Sequence, residues 1–326
     1  MRSSLKFVLL IFGFALLVPT RIVLGQEESY EEKLRKHRED SLRVVAENQQ
    51  KELEKELIDK QNEVRIAYNE GLKLMRVRQD ERAIQSLRKA VNVDIEGVDD
   101  TKAKAYYVEA FCQKRLRRYD AAITAYQNAV KLEPSYTEAY YGLGKTLADV
   151  GKVDEAIDVF NQAIAADPNY DKAYYELGRV YLDKKKDYNK AIENFTKTTE
   201  VNPKHDNAFT ALGDAYMKQG RTQEAIAALE SAIAVDVKNH LASYHLASAY
   251  NQTGKYTKAL ESAKRALQAR SNFAPAAFEA GLALKHLKRY DEAKQYFTQA
   301  GKDRQWTKNA QYEIDLINEE LKRGGN

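Results

Sequence analysis

An alanine recurs along this 326-residue chain at a nearly constant interval. The six alanines concerned are separated by 34, 35, 34, 34 and 34 residues. A period of this length is typical of stacked helix pairs, each of which is too small to bury its apolar side alone. The repeat therefore predicts a row of similar units that share one continuous core. The six positions are Ala122, Ala156, Ala191, Ala225, Ala259 and Ala293.

Each of these alanines has two partners at fixed distances. Four residues later comes a side chain that fills a helix interface, and twelve or thirteen residues earlier comes a glycine or an alanine. Small residues let two helices approach closely, and the larger side chains fill the gap that remains. The spacing therefore predicts two packed helices in every unit. The pairs are Tyr126 with Ala110, Phe160 with Gly144, Phe195 with Gly178, Leu229 with Gly213, Ala263 with Ala247 and Phe297 with Gly281.

Seven units follow from this pattern. An earlier copy begins at Val64, five extra residues (98–102) follow it, and the fourth unit has one extra residue in its turn at 184–187. Within the third unit, helices are predicted over 137–150 and 154–166, because Gly151 can end the first and Pro168 cannot continue the second. The units are 64–97, 103–136, 137–170, 171–205, 206–239, 240–273 and 274–307.

The units resemble the tetratricopeptide repeat (TPR) family over about three quarters of the chain. The resemblance implies an all-α fold, a right-handed superhelical solenoid whose first helices line a concave face that binds peptides or partner domains. Glu70 stands where the family usually has leucine, so the first unit is expected to be an atypical or capping repeat. The matching residues are Tyr140, Leu143, Gly144, Leu147, Ala156, Phe160, Ala163 and Pro168 in the third unit, and Tyr174, Leu177, Gly178, Tyr181, Ala191, Phe195 and Pro203 in the fourth.

The first 25 residues form a separate piece. Arg2 and Lys6 precede a short apolar run, and Gly25 precedes an acidic stretch. This arrangement is typical of a secretory signal and predicts cleavage after Gly25. An uncleaved anchor over residues 5–24 is the alternative, because that stretch nearly spans a bilayer. Both interpretations predict that the rest of the chain is exported, with the periplasm of a bacterium as the expected location.

Residues 26–63 are dominated by Glu, Lys, Arg and Gln, with neither Pro nor Gly, and predict one charged helix. Two interpretations stay open: an oligomerising coiled coil, which would make the chain a homo-oligomer, and a solvated helix that runs into the first repeat. Residues 308–326 predict a capping helix and a short tail. The apolar residues of the charged helix recur every eleven positions, as Leu42, Leu53 and Val64 and as Ala46, Leu57 and Tyr68.

The fifth position of each unit is expected on the concave face, and six of the seven residues there are aromatic. Aromatic rings serve both interfaces and cores. The ladder therefore has two open interpretations: it binds a partner segment, or it braces neighbouring helices. The aromatic residues are Tyr68, Tyr107, Tyr141, Tyr175, Tyr244 and Phe278, and the exception is Thr210.

The second, ninth, twelfth and thirteenth positions of each unit are also expected to face inward. They hold ten basic and four acidic side chains, and eight of the basic ones lie in the first four units. The whole chain has a net charge of only +4. The pattern predicts an anionic partner segment steered to the N-terminal half, with ordinary solvated charges as the alternative. Besides the aromatic ladder, the candidate contacts are Lys104, Phe111, Lys145, Lys172 and Arg179. The remaining basic positions are Arg65, Arg76, Lys114, Arg115, Lys218 and Lys285, and the acidic ones are Glu138, Asp149, Asp183 and Asp214.

Catalytic and cofactor motifs are missing from the sequence. The chain has one cysteine and five histidines, without a zinc-protease motif or a phosphate-binding loop. Its nearly balanced charge argues against nucleic-acid binding. We therefore predict a non-catalytic protein-interaction scaffold of the bacterial cell envelope, without metal or cofactor. The alternatives are a structural oligomer and an accessory subunit of a large membrane-associated complex, with membrane contact only through the N-terminal segment or such a partner.

Overall fold

The computed structural model describes residues 29–324, so the predicted signal at 1–25 lies outside the described residues. Within the described range all regular structure is helical, with fifteen α-helices and one π-helical turn. The predicted all-α repeat solenoid is confirmed. The helices are α1 Tyr30–Arg76, α2 Asp80–Asn92, α3 Asp99–Arg115, α4 Tyr119–Leu132, α5 Thr137–Asp149, α6 Val153–Ala166, α7 Asp171–Val180, α8 Tyr188–Val201, α9 Asp206–Lys218, α10 Thr222–Val235, α11 His240–Gln252, α12 Tyr256–Ala269, α13 Ala274–His286, α14 Tyr290–Ala300 and α15 Thr307–Gly324.

The chain divides into two compact units between Asp59 and Lys60. The described part of the first unit is the N-terminal stretch of α1, in which apolar side chains such as Leu42 and Leu53 are exposed. Helix α1 continues to Arg76 and so includes the first helix of the first repeat. Between residues 29 and 324, none of the helices is both long enough and apolar enough to span a lipid bilayer.

In the second unit, helices that follow one another along the chain pack together in pairs. The first helices of most successive repeats also contact one another, whereas the second helices of adjacent repeats are at most marginally in contact within the described residues. The first helices therefore line the inner, concave side of the array, and the second helices lie on its outer side.

Close packing within a pair depends on a glycine that faces a large side chain. A Cβ atom added to Gly144 would lie 2.7 Å from the ring of Phe160, and one added to Gly178 would lie 2.7 Å from the ring of Phe195. Both rings are fully buried. The predicted partnership of small and large residues is confirmed, and it recurs at Gly71 with Leu87, Gly213 with Leu229 and Gly281 with Phe297.

Two repeats fill this contact differently. In the second repeat, Ala110 replaces the glycine, and the ring of Tyr126 approaches Gly142 of the next repeat, where an added Cβ would lie 2.6 Å away. In the sixth repeat, Ala247 and Ala263 are both fully buried in one core cluster. In the second repeat the large ring is thus matched by a glycine on a neighbouring helix, whereas in the sixth repeat both positions are small.

The turn between the two helices of every repeat has one residue in the left-handed region, with φ between +57° and +83°. Glycine adopts this conformation without strain, whereas other residues rarely do. In the fourth repeat the extra residue is absorbed by the π-helical turn Tyr181–Lys185. The left-handed residues are Arg78, Arg117, Gly151, Lys186, Gly220, Gly254 and Lys288.

Helix α15 covers the last repeat. Its Ile317 is fully buried in the same core cluster as Phe297, and its Glu313 accepts a hydrogen bond from Lys285 Nζ at 2.6 Å. A terminal repeat needs such a cover, because its apolar face has no further neighbour. Four of the five extra residues before the second repeat are also helical, since α3 begins at Asp99.

Candidate functional site on the concave face

The aromatic ladder lies on the first helices, and its rings pack inside their own repeats. The ring of Tyr107 lies 5.8 Å from Tyr126 of the second helix and 5.1 Å from Tyr136 at the end of the unit, measured between centroids. Tyr244 packs on Phe273 in the same way, at 5.5 Å. The arrangement recurs at Tyr141 with Phe160 and Tyr170, at Tyr175 with Phe195 and His205, and at Phe278 with Phe297 and Trp306.

These contacts leave the ladder half-buried. The rings of Tyr107, Tyr141, Tyr175 and Phe278 brace the two helices of their repeats, and the exposed part of each ring remains for the groove. Burial raises the pKa of the ladder tyrosines, so their hydroxyls stay protonated hydrogen-bond donors. The tyrosines with raised pKa are Tyr68, Tyr107, Tyr141, Tyr175 and Tyr244.

Thr210 differs from the ladder for a structural reason. Its hydroxyl accepts a hydrogen bond from Nδ2 of the buried Asn239 at 3.0 Å. Asn239 occupies the unit-end position that holds Tyr136 or Tyr170 in other repeats. Its amide also donates to Asp206, and its side-chain oxygen caps α11 by accepting from Ala242 N at 2.9 Å. In the fifth repeat, a hydrogen-bonded polar pair thus replaces the aromatic pair that other repeats have at these two positions.

Glu176 joins two of the candidate basic residues. Its Oε1 atom lies 3.0 Å from Lys145 Nζ, and its Oε2 atom lies 3.3 Å from Arg179 Nη1. The Tyr141 hydroxyl donates to Oε1 of Glu176 at 3.5 Å and accepts from Lys145 at 3.4 Å. Glu176 is buried and lies at a sixth position, outside the positions expected to face inward. This cluster therefore has one excess positive charge instead of two.

Most of the other basic residues of this face also have acidic partners. Arg115 donates two hydrogen bonds to the buried Asp80, one of them from Nε to Oδ2 at 2.7 Å. The hydrogen bonds from Arg115 hold the pKa of Asp80 below its ordinary value. The sequence count therefore overstates the positive charge of the groove. Further pairs are Lys104 with Asp100, Lys114 with Asp149, Lys218 with Asp214 and Lys285 with Glu313.

Three basic residues of the first four repeats keep their charge uncompensated. Within residues 29–324, Arg65, Arg76 and Lys172 have no carboxylate at ion-pair distance, and all three are exposed. The Lys172 ammonium lies 5.9 Å from the centroid of the Tyr170 ring, which is a cation–π contact. These three residues are the basic positions that remain available to an anionic group.

Phe111 combines exposure with a fixed orientation. Its ring is 44% exposed on α3, one turn beyond Tyr107. The Arg115 guanidinium lies over it at 5.4 Å from the centroid. Arg115 is itself anchored by Asp80 and by the carbonyl oxygen of Met75, at 3.0 Å. The first repeat therefore positions an aromatic ring that belongs to the second repeat.

Sequence reasoning missed a buried polar group beneath the C-terminal half of the face. Asn251 Nδ2 donates to the backbone oxygen and to Oε2 of Glu279, at 3.0 and 2.7 Å. Burial raises the pKa of Glu279. A glutamate at the sixth position of both the fourth and the seventh unit was a signal in the sequence. Among the described residues, no group of three or more His, Cys, Asp and Glu side chains could hold a metal ion.

Comparisons with known proteins agree with this architecture. The family model described as the cilia and flagella-associated protein 70 C-terminal domain matches residues 41–314. No curated protein matches the chain. The pilF protein of Pseudomonas aeruginosa is 15% identical with a TM-score of 0.58, over 69% of this chain and 100% of that one.

Two further solved structures share the fold. A tetratricopeptide repeat protein from Parabacteroides merdae is 16% identical with a TM-score of 0.55, over 78% of this chain and 99% of that one. YrrB, described as a TPR protein with an unusual peptide-binding site, is 20% identical with a TM-score of 0.50, over 61% of this chain and 98% of that one. The chain belongs to the family of the cilia and flagella-associated protein 70 C-terminal domain, and its repeats are tetratricopeptide repeats.

Proposed function

We propose that this chain is a non-catalytic scaffold that binds a segment of another protein on the inner face of its first four repeats. The exposure of Phe111 is the observation that supports this location most strongly. Aromatic and arginine side chains dominate the binding energy of protein interfaces when they are held rigidly. Phe111 under the anchored Arg115 guanidinium provides both groups in one place.

The proposed partner segment is acidic with at least one apolar residue. Its apolar residue would pack on Phe111, and its carboxylates would face the uncompensated Arg65, Arg76 and Lys172. The hydroxyl of Tyr107 adds a donor along the same face. Because these charges are exposed, they are expected to raise the association rate more than the final affinity.

The aromatic ladder is a poor place to test this proposal. Tyr107, Tyr141 and Tyr175 each brace two helices, so replacing them would weaken folding and binding together. Phe111 is a better choice, because its ring is largely outside the core. Leu241 is the matched control: it is 39% exposed and lies on the first helix of the sixth repeat.

The test uses a photo-crosslinking phenylalanine analogue in place of Phe111, with the same analogue in place of Leu241 as the control. The peptide captured at position 111 is then synthesised, and its affinity is measured for Phe111→Ala and Leu241→Ala. We expect Phe111→Ala to weaken binding about tenfold or more, as for a hot-spot residue. Equal affinity for both variants, or equal crosslinking at both positions, would refute the site.

We infer further that the scaffold acts in the bacterial cell envelope. The basic and apolar N-terminal residues, with Gly25 before an acidic stretch, support export. The experiment is a C-terminal reporter enzyme that is active only after export, compared with the same fusion lacking residues 1–25. Equal reporter activity in the two fusions would contradict the envelope location.

A further inference from the structure

The N-terminal stretch of α1 has an uncovered apolar stripe. Leu34, Leu42, Val45, Leu53 and Leu57 are between 44% and 64% exposed. At 3.6 residues per turn, these five residues fall within an arc of about 140° on one side of the helix. The same arc also contains Arg38, Gln49 and Glu56, so the stripe is interrupted by polar side chains. Exposed leucine and valine side chains along one side of a helix of this length indicate a helical partner.

The stripe repeats every eleven residues. Leu34 and Val45 are eleven apart, as are Leu42 and Leu53. An eleven-residue period keeps a stripe on one side of a nearly straight helix, with a slight right-handed drift. Val44 and Ile58 are equally open, at 52% and 54% exposed, but they lie on the opposite side of the helix. The chain therefore offers matched controls within the same segment.

The charges of this segment are distributed in two opposite blocks. Residues 33–43 have five basic and two acidic side chains, whereas residues 47–59 have two basic and five acidic ones. The first block is net +3 and the second is net −3. Two copies side by side in parallel would place like blocks together, and two antiparallel copies would place each positive block against a negative one. Flanking charges set orientation in this way in paired helices.

We propose that the stripe is covered by a second copy of the same chain, in an antiparallel helix pair centred on Val45 and Ala46. This register places Leu34 of one chain opposite Leu57 of the other, and Val45 opposite Ala46. It also joins the two charge blocks along their full length. The pairing is independent of the concave face, so the scaffold is a dimer whether or not its groove is occupied.

The first test measures the molar mass of the purified chain by light scattering. The wild-type chain is expected to have twice the mass of one chain. Leu42→Asp and Leu53→Arg should halve the mass, because each places a charge opposite the block of like charge on the partner chain. Ile58→Asp and Val44→Asp should remain dimers. A monomeric wild-type chain overturns the proposal and indicates that another protein covers the stripe. Loss of the dimer in Ile58→Asp or Val44→Asp shows that the stripe is not the side of the helix that forms the contact.

The second test measures orientation with cysteine crosslinking. The native Cys112 is buried, so an introduced cysteine reports alone. Ala46→Cys should crosslink with itself in either orientation and checks that the pair forms. Leu34→Cys should not crosslink with itself, because antiparallel copies hold these positions about 35 Å apart at 1.5 Å per residue. A mixture of Leu34→Cys and Leu57→Cys chains should crosslink.

Each outcome decides the proposal. Self-crosslinking of Leu34→Cys shows a parallel pair and overturns the antiparallel register. If the mass is dimeric but neither Ala46→Cys, Leu34→Cys nor the mixture of Leu34→Cys and Leu57→Cys chains crosslinks, the dimer contact lies outside the N-terminal stretch of α1. This result also overturns the proposal. Phe111→Ala is expected to leave the mass unchanged, so failure of the groove proposal is distinguishable from failure of the dimer.

Discussion

Substituting Gly144 by alanine should show how tightly the helix pairs are fitted. Alanine is the better helix former, by about 1 kcal/mol in a helix interior. The new Cβ, however, would lie 2.7 Å from Phe160 Cε1, where ordinary contacts are 3.4–4 Å. The ring has no route to solvent, because Phe160 is fully buried. Gly144→Ala therefore increases helix propensity but introduces a steric clash with the ring of Phe160.

The steric cost should win in the wild-type background. Overpacking a core costs about 1–3 kcal/mol, so after the propensity gain of about 1 kcal/mol Gly144→Ala should lower the free energy of unfolding by a net of about 1 kcal/mol. Phe160→Ala should cost about 3–5 kcal/mol, as for a buried aromatic ring. In that background the clash is gone, and Gly144→Ala should become stabilising by about 1 kcal/mol. The sixth repeat already pairs Ala247 with Ala263.

The assay is a double-mutant cycle in urea, followed by far-ultraviolet circular dichroism. Because repeat arrays can unfold in parts, hydrogen exchange of the amides in α5 and α6 accompanies it. The expected coupling between the two substitutions is about 2 kcal/mol, within the range for residues in direct contact. Gly144→Ala could instead change the free energy of unfolding by the same amount, with the same sign, in the wild-type and Phe160→Ala backgrounds. In that case the close approach to Phe160 is not the reason for glycine at position 144.

Two further predictions concern the junction of the first and second repeats. Burial raises the pKa of the Cys112 thiol to about 12, so it should react with Ellman's reagent only after denaturant unfolds the chain; rapid reaction in the native state would refute its burial. Asp80→Asn should lower the free energy of unfolding at pH 7 by about 1.5–3 kcal/mol, the value of a hydrogen bond to a charged group. The folded-state pKa of Asp80 is below its unfolded value of 3.8, so this contribution is present above that pH and is lost as the pH falls through the folded value. Urea titrations at pH 7 and pH 3 check this, and a difference between wild type and Asp80→Asn that does not shrink at pH 3 would contradict it.

The sequence was sufficient for the contacts that repeat within one unit. Gly144 with Phe160 and Gly178 with Phe195 follow from a fixed spacing and from the size of the side chains, and both need no knowledge of the neighbouring repeat. The contact of Tyr126 with Gly142 was different, because it joins two repeats. To predict this contact, one must know how far each helix pair is shifted and rotated relative to the next. The spacing of residues along the chain does not determine that shift.

The same limit explains the overstated charge of the groove. Arg115 is 35 residues from Asp80, and Tyr141 is 35 residues from Glu176, so these contacts cross from one repeat to the next. Counting charges at fixed positions within a unit treats each position as if it faced only the groove. Asp80 lies on a second helix and Glu176 lies at a sixth position, so neither was counted, although both neutralise groove residues.

Variation among the repeats then separates bracing positions from binding positions on the concave face. The fifth position is nearly uniform, because each ring must fill the same space between its second helix and the end of its unit. The ninth position is not constrained in this way, and its residues differ widely in size and charge. A scaffold can recognise one partner segment only through positions that differ along the array, since identical positions would accept any register. Recognition should therefore depend on the ninth positions, with the fifth positions as their support. The ninth-position residues are Leu72, Phe111, Lys145, Arg179, Asp214, Ser248 and Leu282.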